Sequence, residues 1–86
     1  MQAQTLLSVP IGGAATVADI RAGGAMRRRL MDLGLTAHAT VKHLFDAPSG
    51  NPRAYQIRGT VIALRNDDAA AVEVRPSGNR GDAAWV

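Results

Sequence analysis

Glycine and proline cut this chain so often that no long regular element fits between the cuts. The breaks fall at Pro10 with Gly12-Gly13, at Gly23-Gly24, at Gly34, across residues 46–53 (DAPSGNPR) and at Gly59. Gly supplies backbone conformations that other residues avoid, and Pro removes an amide donor, so each cluster reads as a turn or loop. Short segments between such turns suit a small sandwich or barrel.

One segment has a helical period. In residues 25–33 (AMRRRLMDL), Met26, Leu30 and Leu33 recur on one face. Gly34 stands where a helix ends in a left-handed turn. Arg28 and Asp32 are one turn apart on the opposite side, where they can pair weakly. A helix this short is marginal alone, so its Met/Leu face must seat on a sheet. Consecutive helical residues point about 100° apart. Arg27, Arg28 and Arg29 therefore form no single flat patch, and Arg28 is the most exposed of them.

The other segments read as strands: 5–9 (TLLSV), 15–20 (ATVADI), 40–45 (TVKHLF), 54–65 (AYQIRGTVIALR) and 71–75 (AVEVR). In 40–45, alternation puts Val41, His43 and Phe45 on one face and Lys42 and Leu44 on the other. In 54–65 the apolar phase switches from Tyr55 and Ile57 to Ile62 and Leu64. Gly59 sits at the switch, which predicts a bulge or sharp bend there. Residues 66–70 read as a turn or one helical turn. The expected fold is mainly β: a small, partly open barrel of about five strands with one short helix at its end. It occupies residues 1–75. Residues 76–86 (PSGNRGDAAWV), Trp85 included, have the composition of a loose tail.

The 86 residues suffice for one small domain. Such a domain buries roughly 60% of the surface its unfolded chain exposes, so the core is thin and a deep catalytic pocket is not expected. The chain has no cysteine, which excludes disulfides, zinc ribbons and a thiol nucleophile. It shows neither a signal-peptide core nor an apolar run of membrane-spanning length. The expectation is a cytoplasmic protein with no membrane insertion of its own.

The formal charge is +3, and the aromatic residues are Phe45, Tyr55 and Trp85 alone. Single-strand nucleic-acid binders stack bases on aromatic platforms in a basic groove, and this chain has little to stack with. His38 and His43 are too few and too scattered for a ferrous site. Gly12-Gly13 and Gly23-Gly24 lack the Gly-Lys-Ser/Thr of a phosphate loop. Asp67-Asp68 has no second carboxylate cluster with which to hold Mg²⁺ or work as acid and base. No nucleophile, base and orienting group assemble, so an enzyme is not expected, and no cofactor is implied.

Three blocks together are more specific. RRRLMDLGL (27–35), APSGNP (47–52) and IRGTVIALRNDDAAAVEV (57–74) occur in the order of the FeoA family, with TVADI (16–20) as the early element. This set resembles FeoA over residues 5 to 75. His38 stands where a Gly is usual and Asn51 where Asp is commoner, both at turn-like positions that Asn and His tolerate. The resemblance implies an SH3-like barrel. It also implies a cytoplasmic accessory that binds FeoB, the GTP-dependent ferrous iron permease, and an association with transition metal ions through that pathway.

The expected partner surface is the helix with its following loop and the Pro-Gly-Asn-Pro tip: Arg28, Met31, Pro48, Gly50, Asn51, Pro52 and Tyr55. Of the two aromatics flanking the tip, Tyr55 is the one expected to be exposed. Two alternatives stay open at this point. One is a small nucleic-acid-binding barrel, against which mild charge and few aromatics argue. The other is a regulatory SH3-like domain partnering a metal-dependent repressor. Self-association through an edge strand, with residues 5–9 as the candidate edge, also stays open.

Overall fold

The computed structural model describes residues 4–76. The strands are β1 Gln4–Thr5, β2 Ala14–Ile20, β3 Thr40–Asp46, β4 Arg53–Ile57, β5 Thr60–Leu64 and β6 Val72–Pro76; the helices are α1 Gly24–Asp32 and α2 Asn66–Ala70. All six strands join one antiparallel sheet in the order β1-β6-β2-β3-β4-β5. The expected barrel of about five strands and one helix is corrected on three counts. Among the described residues there are six strands and two short helices, and the sheet does not close, so β1 and β5 are its edges. The expected tail, Trp85 included, lies beyond the described residues except for Pro76, which ends β6.

The first strand is shorter than its apolar run suggests. The Thr5 hydroxyl accepts the Leu7 amide at 3.2 Å, and the Ser8 hydroxyl donates to the Thr5 carbonyl at 2.7 Å. Such local bonds compete with a ladder. They turn Leu6–Ser8 into a single 3-10 turn, leaving Gln4 and Thr5 as β1 among the described residues.

Curvature comes from two irregularities. The register shifts between Val17 and Asp19 in β2, and between His43 and Phe45 in β3. Each bends its strand and increases its twist. The curled sheet wraps one core that includes Leu6, Val17, Val41, Tyr55, Ile57 and Leu64. The predicted break at Gly59 is a two-residue hairpin instead of a bend within one strand. Arg58 and Gly59 have φ of 53° and 82°, the left-handed pair that matches strand twist.

The helix lies where the apolar period put it, but it is seated more narrowly. Leu30 is its one buried residue, and Met26 packs partly against the core. Leu33, expected in the core, is 38% exposed because the helix ends before it. The Leu35 amide donates to the Leu30 carbonyl at 3.1 Å and the Gly34 amide to that of Met31 at 3.0 Å. This is a Schellman stop, with Gly34 at φ +107° and Leu30 and Leu35 buried together beneath it. Arg28 and Asp32 form no ion pair among the described residues. Arg27 Nη1 instead donates to the Ile20 carbonyl at 2.8 Å, and Arg29 Nη2 meets Asp68 Oδ1 at 2.8 Å. The three arginines thus diverge, and Arg28 is left to solvent.

Candidate partner-binding surface

The bulge in β3 decides which aromatic side chain faces outward. Strict alternation puts His43 and Phe45 on one face. The extra residue, Leu44, reverses the phase, so His43 is 2% exposed and Phe45 58%. Tyr55, expected at the partner surface, pairs with His43 across β3 and β4 and is fully buried. That expectation is corrected: Phe45 takes the exposed place and Tyr55 is core.

Tyr55 and His43 form a buried aromatic pair, with ring centroids 4.9 Å apart and 29° between planes. His43 Nδ1 lies 2.7 Å from the Val9 carbonyl oxygen and Nε2 2.6 Å from Asp46 Oδ1. A carbonyl oxygen only accepts, so the bond to Val9 is one that Nδ1 donates, and Nε2 faces the Asp46 carboxylate. Burial pushes the Tyr55 hydroxyl above its usual pKa, with neighbouring Arg53 opposing that rise. Every polar atom of His43 is therefore engaged in holding the fold. Among the described residues no group of three or more His, Cys, Asp or Glu could hold a metal ion.

Phe45 is flanked by a groove of about 260 Å³. Its floor and walls come from Ala47 and Pro52 of the loop, Ala54 of β4, and Val61 and Ala63 of β5. Cross-strand pairing explains the cluster. Phe45 pairs with Ala54, and Ala54 with Ala63, so one row of apolar side chains crosses three strands on the outer face. Small alanines lie between the larger Phe45 and Val61, and the groove is the space they leave. Val61 is 56% exposed. The sequence offered one signal for this surface: β5 has apolar residues at both phases, which one buried face cannot absorb.

The loop is held rigidly beside that groove. The Ala47 amide donates to the Pro52 carbonyl at 3.0 Å, the Gly50 amide to that of Ala47 at 2.7 Å, and the Ser49 hydroxyl to that of Asn51 at 2.9 Å. Pro48, Asn51 and Pro52 are exposed, Gly50 is half-buried, and the Asn51–Pro52 peptide is cis. The Asn51 side-chain oxygen accepts the Asn66 amide at 3.1 Å. Residue Arg65 cannot cap α2, so the loop supplies the acceptor that the helix start lacks. Arg28 and the 40%-exposed Met31 line a separate shallow concavity along α1 with Gly24, Arg27 and Asp32. The structure thus gathers the expected residues into two patches, loop and helix. The intervening α2 bonds to both, through Asn66 to Asn51 and through Asp68 to Arg29.

Such a surface offers apolar contact and a rigid rim. Its lining carries no convergent set of nucleophile, base and acceptor. His38, at φ 72°, takes the left-handed place where the family pattern has glycine, so that departure leaves the turn intact.

Comparison with known proteins agrees with the sequence blocks. No curated protein sequence matches the chain. The FeoA-like protein of Clostridium acetobutylicum superposes with a TM-score of 0.82 at 26% identity, over 93% of each chain. FeoA of Stenotrophomonas maltophilia, complexed with zinc and described as an SH3 domain protein suggested to activate bacterial ferrous iron transport, does so at 0.76 and 32% identity, over 85% of this chain and 91% of its own. Iron(II) transport protein A of Clostridium thermocellum gives 0.79 at 24% identity, and this chain spans 44% of its length. The FeoA domain family pattern itself covers residues 4–76, from the first strand to the last. The chain belongs to the FeoA family.

Proposed function

We propose that this chain is an accessory of ferrous iron uptake that binds the cytoplasmic part of the FeoB permease and biases its state. The observation that carries the proposal is the family match across every described element. The physical form of the surface supports it. An exposed aromatic side chain beside a shallow, mostly apolar groove is a contact surface for another protein. No helix among the described residues is long and apolar enough to cross a membrane.

The chain in this proposal is a binding module and not a catalyst, and it works in the cytoplasm. A ligand shifts its partner only by preferring one of the partner's states, so the relevant quantity is differential affinity. The contact set is Phe45 with Pro48, Gly50, Asn51 and Pro52 on the loop side, and Arg28 and Met31 on the helix side. The test is co-purification with the permease's soluble GTPase region and, separately, with its membrane part at mild salt. The expected result is capture by one of them, weakened about tenfold or more by Phe45→Asp, since central aromatic contacts dominate interface energies. Folded protein that captures neither region overturns the proposal.

A further inference from the structure

The two edges of the sheet are built differently. Among the described residues β1 spans Gln4–Thr5 and runs straight into the 3-10 turn, which ends the edge on that side. β5, Thr60–Leu64 (TVIAL), carries no charge, no proline and no bulge. Such an edge is a template for another strand.

The backbone hydrogen bonds fix which β5 groups point outward. The Gly12 amide donates to the His43 carbonyl at 2.7 Å, and the His43 amide to that of Gly13 at 2.9 Å. His43 therefore turns its backbone toward β2, away from β4. Its partner Tyr55 then turns its own toward β5, where it pairs with Ile62. By alternation, Val61 and Ala63 direct their N–H and C=O groups away from β4. Among the described residues no strand pairs with them.

We infer that the outer edge of β5 pairs with β5 of a second copy of this chain, antiparallel about a two-fold axis at Ile62. In that register Val61 of each copy lies opposite Ala63 of the other. All four outward amides and all four outward carbonyls find partners, and no other centre within the strand satisfies them all. The half-buried Ile62 meets its counterpart on the inner face, while Val61 and Ala63 pack across the outer face. No charge lies between Arg58 and Arg65 to oppose this. Extended past the strand ends, the register sets Arg58 of one copy against position 66 of the other, with Arg65 and Asp67 of opposite sign on either side of it. Phe45 and the loop stand two strands back from the axis and stay uncovered. Val61 and Ala63 also wall the groove beside Phe45, so the two surfaces meet there, and self-association of the chain alone is tested apart from permease capture.

Sedimentation of the full chain from about 10 μM to about 1 mM tests it, because a dimer responds to concentration. A monomer–dimer equilibrium is expected, weakened about tenfold or more in Val61→Lys/Ala63→Lys, which sets like charges opposite one another twice. The chain carrying Val61→Glu/Ala63→Glu, mixed with the lysine variant, should restore the dimer as a mixed pair. Ile11→Lys, a 59%-exposed apolar site elsewhere, should leave association unchanged. If the edge variants fail to fold, amide exchange of the unaltered chain decides: Val61 and Ala63 amides should slow as concentration rises. A monomer throughout the range, equal weakening by Ile11→Lys, no rescue on mixing, or exchange independent of concentration overturns the inference.

Discussion

Replacing His43 by Phe isolates the polar part of the buried aromatic pair. Phe keeps a ring against Tyr55, so the stacking contribution of about 0.5–1.5 kcal/mol is largely retained. What is lost is the donor to the Val9 carbonyl and the contact with Asp46, at 2.7 and 2.6 Å. The two losses are unequal. Val9 is 1% exposed, so its carbonyl has no water to turn to, and an unpaired buried acceptor costs about 1–3 kcal/mol. The Asp46 side chain is 28% exposed and can be rehydrated, so its share is small. The expected loss is about 1–3 kcal/mol, mostly from Val9. In a domain of this size each kcal/mol lowers Tm by about 4–8 °C. Urea unfolding followed by far-UV circular dichroism measures it directly. Asp46→Asn is the companion variant: its amide can donate to Nε2 while Nδ1–H still donates to Val9, so no buried group is orphaned. A His43→Phe loss below about 0.5 kcal/mol, or an Asp46→Asn loss equal to it, would refute the assignment of the cost to the Val9 carbonyl.

Other outcomes follow from the same geometry. Gly34→Ala puts a Cβ 3.2 Å from Ile57 Cγ2 at φ +107°, so thermal unfolding should show a loss of about 1–3 kcal/mol. Leu30→Ala removes the one buried side chain of α1 and should cost about 2–5 kcal/mol in denaturant melts. Phe45→Asp should cost no more than about 1 kcal/mol of stability while weakening permease capture about tenfold or more, which separates contact from folding. Tyr55 has its pKa raised above 10.0 by burial, so the folded state keeps that proton after the unfolded chain has released it. Its contribution is complete below that value and declines as pH rises through the folded value. Unfolding measured from about pH 9 to about pH 11 should show a decline that Tyr55→Phe reduces.

The helix and its stop were legible in the sequence because both are local. The spacing of Met26 and Leu30 and the need for a left-handed residue at Gly34 act within a few residues of chain. The loop of residues 46–53 was legible for the same reason. The outward aromatic was not. Alternation assigns His43 and Phe45 to one face, and only an inserted residue, set by how β3 meets β4, separates them. Tyr55 follows the regular alternation of β4 and is buried with Ile57, so placing it at the loop rim overlooked its own strand's period. Leu33 was misplaced because helical period continues past the point where the chain leaves the helix. In residues 5–9, apolar composition favours a strand, but Thr5 and Ser8 offer the backbone a nearer partner.

By itself, then, the order of residues determined a small, mainly β domain, its family and its nine-residue helix, since turn chemistry, helical period and motif order need no distant contact. Whether the sheet closed, which face each aromatic took and which edge was left open were decided by tertiary structure alone. Bulges and register arise between strands remote in sequence, and a single extra residue reverses every side chain that follows it.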